Sequence, residues 1–189
     1  MRYDELKSYI SLLKPYLLGK RISRLLSFSP NSFFYSLSGP TFKALSIILS
    51  DEPRIYISEE QMRFPNVETV FYSQLKKEAG SGEIVDVEII GGDRTVVLTI
   101  KTANQTFQEI IRKIIIELKT PKPNIIIADE NDLIISAMHM TTLEATNPIV
   151  RGMKYCPSID KRLLDEKEQP NLQEVEQTGR LPLLNVGEK

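Results

Sequence analysis

Two residue types that usually carry enzyme chemistry are almost missing from this chain. Its 189 residues include one cysteine and one histidine. Cys156, in Tyr155-Cys156-Pro157, excludes an intrachain disulfide and has no Cys or His at zinc-ligand spacing. It argues for a reducing compartment, with the cytoplasm as the default. His139 stands between Met138 and Met140 at the end of a strand-like run. With no Ser or Cys partner at a recognisable spacing, it reads as a packed or edge residue. No P-loop or dinucleotide fingerprint occurs: Gly80-Ser81-Gly82 lacks a third glycine and a following helix. No run approaches the ~20 apolar residues that cross a bilayer. Met1-Arg2-Tyr3-Asp4-Glu5-Leu6-Lys7 lacks the basic-then-apolar layout of a signal peptide. Acidic residues are scattered rather than paired. The expectation is a protein that is not an enzyme, holds no metal or cofactor, and does not enter a membrane.

What is present suffices for a folded domain, since 41% of the residues are hydrophobic. The net charge of −1 hides an asymmetry. Residues 1–126 carry 17 Lys and Arg against 14 Asp and Glu, whereas residues 127–189 carry 7 against 11. The body is mildly basic and the end acidic, so the whole-chain charge does not exclude a nucleic-acid partner.

Residues 4–18 read as an amphipathic helix with Asp4 as its N-cap, a kink or break at Pro15, and a stop at Gly19. Four strand-like runs follow, Arg21–Phe28, Phe33–Ser38, Phe42–Leu49 and Arg54–Ser58, separated by turn residues at the spacing of an antiparallel meander. Pro65-Asn66-Val67-Glu68 introduces a second helix, Thr69–Ala79, which Gly80-Ser81-Gly82 ends. Gln105–Lys119 has helical spacing, yet its five isoleucines, three of them consecutive, favour a buried strand. Asn124–Ala128 and Leu133–Met138 form a hairpin around Asp129-Glu130-Asn131-Asp132. Residues 159–189 turn charged and rich in Pro, Gln and Glu, and read as a tail that is partly disordered, docked by its last leucines, or the start of a linker.

Between two of the clearest strand patterns lies Gly91-Gly92-Asp93-Arg94. The glycines supply the positive φ of a tight hairpin, so an acid and a base are held at a rigid turn. Such a pair is either a solvated surface decoration or a recognition element. Basic residues in separate elements, among them Arg21, Lys76 and Lys77, either converge into a phosphate-binding surface or form a solvated face.

The order of local motifs carries a resemblance. Asp4 opens a helix ending in Gly19-Lys20-Arg21-Ile22; then come Arg54-Ile55-Tyr56-Ile57-Ser58, Pro65-Asn66 and Leu75-Lys76-Lys77. Asp93-Arg94, Ile115-Ile116-Glu117-Leu118, Pro123-Asn124-Ile125-Ile126-Ile127-Ala128-Asp129 and Arg151-Gly152-Met153-Lys154-Tyr155-Cys156-Pro157 complete the series. Over residues 1–158 this resembles the N-terminal domain of the NFACT family, which includes bacterial RqcH, eukaryotic NEMF and proteins labelled fibronectin-binding protein A. Where the family has Met-Gly-Arg, this chain has Lys119-Thr120-Pro121-Lys122-Pro123, and the family's Leu-Arg-Lys is Leu75-Lys76-Lys77. Family members usually continue into further modules, so the resemblance implies a fragment or a reduced relative.

The resemblance implies an α+β fold: an antiparallel β-sandwich or barrel-like sheets flanked by two helices, similar to the N-terminal domain of formamidopyrimidine-DNA glycosylases. Those enzymes use an N-terminal proline nucleophile and zinc-finger cysteines, which this chain lacks. It further implies an RNA-binding module of ribosome-associated quality control, with tRNA and the large ribosomal subunit as partners. The family's tRNA-recognition pair carries over to Asp93 and Arg94, and its early acidic residue to Asp4. Arg21, Lys76 and Lys77 complete the candidate nucleic-acid-binding set. A guanidinium can grip a phosphate bidentately or stack on an unpaired base, and the neighbouring carboxylate can orient it. The alternative is a protein-interaction module, adhesin-like or with a cytoplasmic partner.

Overall fold

A computed structural model describes residues 1–158 apart from Met62 and Phe64, so the 159–189 tail lies outside the described residues. The elements in chain order are α1 (Tyr3–Leu17), β1 (Arg21–Ser29), β2 (Ser32–Leu37), β3 (Lys43–Ile48), β4 (Arg54–Ser58), α2 (Val70–Ala79), β5 (Gly82–Ile90), β6 (Thr95–Ala103), β7 (Glu109–Glu117), β8 (Asn124–Asp129) and β9 (Ile134–Ala137). All nine strands form one antiparallel sheet, in the order β4-β3-β2-β1-β5-β6-β7-β8-β9. The α+β expectation holds. The sheet is open, with β4 and β9 at its two ends, which corrects the barrel-like alternative.

The sheet folds on itself where β1 meets β5. Only Arg21↔Glu83 and Ile22↔Gly82 pair across that junction. Gly82, at φ +129°, makes room for β6 on the other side of β5: a Cβ there would lie 2.3 Å from the Lys101 carbonyl oxygen. Beyond this corner the halves diverge, and their inner faces close on one core. Phe33, Tyr35, Leu45, Ile47 and Ile55 from one half meet Val96, Leu98, Ile114, Ile116, Ile125 and Ile127 from the other.

The isoleucine runs follow from a second layer. Val97, Ile115 and Ile126 alternate with the core residues and are buried on the opposite face, beside Ile134 of β9 and packed with Ile149 and Tyr155 from the segment after it. A strand covered on both faces reads as continuous hydrophobic sequence rather than an alternation. This is why Ile114–Ile116 and Ile125–Ile127 are uninterrupted, and why β7 is a strand. It begins at Glu109, because residues 104–108 form the turn before it.

Both helices pack on the sheet. Thr69 caps α2, its Oγ1 accepting from Tyr72 N at 3.0 Å, and the Tyr72 hydroxyl donates to the Leu25 carbonyl at 2.9 Å. In α1 the N-cap is Arg2, not Asp4: Glu5 Oε2 accepts from Arg2 N at 2.9 Å, and Asp4 is an exposed first-turn residue. Pro15 does not break α1. It sits in the last turn, where little helix remains to be interrupted, and Leu18 N still closes on the Lys14 carbonyl at 3.0 Å. No helix among the described residues is long and apolar enough to cross a membrane.

Candidate nucleic-acid interface

The Gly91-Gly92-Asp93-Arg94 turn joins β5 to β6, with Ile90 paired to Thr95 and both glycines at positive φ (+72° and +66°). Its conformation is tied from three sides. Within the turn, Asp93 Oδ1 accepts from Arg94 N at 2.6 Å, and the Asp93 carbonyl accepts from Thr95 N at 2.8 Å. From the residue that follows β7, Leu118 N donates to the Arg94 carbonyl at 2.8 Å. From the segment after residue 154, Pro157 lies against Gly91 so closely that a Cβ on Gly91 would sit 2.7 Å from the Pro157 Cβ.

The side chains form a charge chain. Arg94 Nε stands 3.8 Å from Asp93 Oδ1, and the two side chains are 29% and 17% exposed. Lys119 Nζ lies 4.0 Å from Asp93 Oδ2 and 3.2 Å from Glu117 Oε2, and it also meets the Ser158 hydroxyl. The Tyr155 hydroxyl donates to Glu117 Oε2 at 2.9 Å. Burial, then the Glu117 charge, pushes the Tyr155 phenol far above its ordinary value, so it stays a donor. Asp93 therefore has a mostly internal role, holding Arg94 N and facing Lys119, while the Arg94 guanidinium is the part of the pair most open to a ligand. Beside this cluster opens a groove of about 710 Å³, whose lining includes Glu117, Lys119, Lys122, Asn124 and His139. Asn124 shapes its wall: the side chain donates to the His139 carbonyl and accepts from His139 N, both at 2.9 Å.

Asp4 is brought to this end of the molecule. α1 runs antiparallel to β5, since Lys14 pairs with Asp86 at 2.9 Å and Gly19 N donates to the Ile84 carbonyl. From that level, ten helical residues carry Asp4 about 15 Å, and four strand residues carry Ile90 about 13 Å the same way. Arg21, Lys76 and Lys77 are not brought here. Arg21 lines a groove with Ala103 and Phe107, and Lys77 lines one with Ala103 and Asn104. Both grooves adjoin the far end of β6, about 25 Å from Arg94 along the strand. Asp93, Arg94 and Asp4 thus lie at one end of β6 and Arg21 and Lys77 at the other, with Lys76 exposed on α2 next to Lys77, and no single surface unites them.

Sequence pattern assigns no site role to Glu117, Lys119, Asn124 or Tyr155. Glu117, Asn124 and Tyr155 are nevertheless landmarks of the motif order, and the structure gives the reason: they seat the turn and the groove. Lys119 falls where the chain departs from the family pattern, so no motif points to it.

The family described as "NFACT N-terminal and middle domains" matches residues 7–182. A curated relative, the Rqc2 homolog RqcH of Bacillus subtilis (strain 168), is 29% identical over 149 residues, covering 74% of this chain and 26% of the relative. This chain therefore spans about a quarter of that protein's length. Among solved structures, the N-terminal part of the fibronectin/fibrinogen-binding protein from Streptococcus suis superposes with a TM-score of 0.76 at 18% identity, over 85% of this chain and 62% of that one. The N-terminal domain of fibronectin-binding protein PavA from Streptococcus pneumoniae gives 0.74 at 19%, over 92% and 72%. The fibrinogen binding protein from Staphylococcus aureus gives 0.71 at 21%, over 85% and 58%. At these identities the likeness is one of fold.

Proposed function

This chain belongs to the NFACT family, matched through the family's N-terminal and middle domains, and from that premise we propose that it is an RNA-binding module contacting tRNA and the large ribosomal subunit. It acts as part of a ribosome-associated quality-control factor, or as a reduced relative of one, in the cytoplasm and without catalytic chemistry of its own. The observation that carries this reading is the seating of Asp93-Arg94. A glycine turn tied to Leu118 and backed by Pro157 holds Arg94 in place with its guanidinium partly open. A pre-positioned guanidinium can take a phosphate bidentately, or stack on an unpaired base, without the ordering cost of a floppy loop. Asp93 keeps the turn's shape and contributes a negative edge that orients the guanidinium. The local charge is nearly balanced, with Asp93 and Glu117 against Arg94 and Lys119. Recognition here thus depends on placement more than on a broad basic field.

The test is a filter-binding titration of tRNA against salt. Arg94→Ala should weaken binding roughly tenfold, the scale of one charge-assisted contact. If phosphate is the partner, it should also lower the salt slope by about one. Binding unchanged by Arg94→Ala would remove the assignment. A protein-interaction role is the second reading, favoured by the fibronectin- and fibrinogen-binding names of the structural neighbours. A protein partner captured after nuclease treatment, with no RNA copurifying, would support it.

A further inference from the structure

The turn from β6 to β7 contains a strained residue that no burial among the described residues compensates. Asn104 N donates to the Gln108 carbonyl at 2.9 Å and Phe107 N to the Asn104 carbonyl at 3.0 Å. This is the bonding of a three-residue hairpin loop whose third position is left-handed, the place of a glycine or asparagine. Phe107 occupies it at φ +61°. A Cβ crowds the following carbonyl in that conformation, and a large side chain accepted there is expected to recover the difference by burial. Phe107 is instead 91% exposed. The loop is nonetheless well tied. Asn104 Oδ1 accepts from Thr106 N at 2.9 Å, Thr106 Oγ1 at 2.8 Å and Gln108 N at 3.0 Å. The backbone therefore projects an aromatic ring into solvent from a fixed base.

The charges around this ring lean basic by one: Arg21 and Lys101 meet Glu83 and Glu109 in its own groove, and Lys77 and Arg112 meet Glu78 in the adjoining one. Lys101 faces Glu83 and Glu109, and Arg112 holds Glu78 at 2.8 Å. Arg21, Lys76 and Lys77 are exposed, with no ion pair among the described residues. Arg21 shares a groove of about 350 Å³ with Phe107, and Lys77 shares the adjoining groove with Asn104 and Gln105. An exposed ring beside unmatched cations is the pairing that holds an unpaired nucleotide, with the base stacked on the ring and the phosphate between the cations.

We infer that the Phe107 turn is a second RNA contact, in which the ring stacks on an unpaired base while Arg21 and Lys77 take the flanking phosphates. It lies at the end of β6 opposite Asp93-Arg94, and it rests on the RNA-binding reading above. It also accounts for the split of the candidate residues into two groups, because a folded RNA can reach both ends of one strand.

The test uses the whole chain, total tRNA and three substitutions at one position. Phe107→Gly relieves the strained φ, so it should raise Tm by a few degrees while weakening tRNA binding about tenfold. A merely structural role would move both together. Phe107→Leu, apolar but without a π face, should weaken binding as Phe107→Gly does. The chain has no tryptophan, so Phe107→Trp places a lone indole on the turn; it should keep the affinity, and its fluorescence should be quenched by tRNA. Wild-type affinity in Phe107→Gly or in Phe107→Leu, or an unquenched indole at saturation, would overturn the inference. Arg94→Ala run alongside separates the two failures. If it weakens binding and Phe107→Gly does not, this contact alone falls; if the wild-type chain binds no tRNA, both readings fall.

Discussion

Replacing Gly91 by alanine probes how the Asp93-Arg94 turn is seated, and its effect can be worked out in two parts. The first is conformational. At φ +72° an alanine pays the left-handed penalty, about 1–2 kcal/mol. The second is contact. The new Cβ would lie 2.7 Å from the Pro157 Cβ, and a proline ring cannot rotate aside. Either the turn or the 155–158 segment must shift, and overpacking of this kind costs about 1–3 kcal/mol. Together they predict a loss of about 3 kcal/mol, or roughly 6–12 °C in Tm for a chain of this size. Gly152 supplies the control. It stands at φ +84° with nothing within 4 Å of its ideal Cβ, so Gly152→Ala should incur the conformational part alone. The difference between the two variants, read from urea unfolding, isolates the Pro157 contact. Adding Pro157→Gly to Gly91→Ala should return most of that difference, as expected for two residues in direct contact. If Gly91→Ala costs no more than Gly152→Ala, the segment does not brace the turn, and the argument that Arg94 is pre-positioned fails.

Other outcomes follow from buried polar groups. Tyr35 is wholly buried, its hydroxyl has no partner among the described residues, and burial pushes its phenol far above the ordinary 10.0. The unfolded chain releases this proton near pH 10 and the folded chain does not. The stability it contributes is therefore complete below about pH 10 and is lost above it, at about 1.4 kcal/mol per pH unit. Tyr35→Phe should leave neutral-pH stability little changed and flatten the alkaline fall in the urea midpoint; an equally steep fall would refute the assignment. Asn124→Ala removes both bonds to the His139 backbone and should cost about 2 kcal/mol. The His139 amide should exchange faster than in wild type, and unaltered protection would show that Asn124 does not hold that loop.

Much of the fold could be read from local pattern, and the exceptions share a cause. The four runs of the meander became β1 to β4 with ends shifted by a residue or so, and Thr69 opens α2 as its capping chemistry implies. The ambiguous stretch at 105–119 resolved as β7 because its isoleucines face two different layers, a fact set by Ile134, Ile149 and Tyr155 arriving from later in the chain. Asp4 suits a cap by residue type, but the helix begins two residues earlier, and Glu5 reaches back to Arg2. The site was legible as a turn with an acid and a base. That Asp93 faces inward to Lys119, and that Pro157 backs Gly91, depends on residues more than twenty positions away.

Taken alone, the sequence determined most of the elements, the α+β class, the glycine hairpin and the motif order that places the chain in its family. Each of these depends on residues within a few positions of one another, or on their order along the chain. Tertiary structure alone decided that the sheet stays open, that Asp93, Arg94 and Asp4 separate from Arg21 and Lys77 to the two ends of β6, and that Phe107 is exposed. Those outcomes depend on how strands distant in sequence come to lie side by side. A two-residue pairing at Arg21↔Glu83 and Ile22↔Gly82 sets that geometry, and no local pattern announces it.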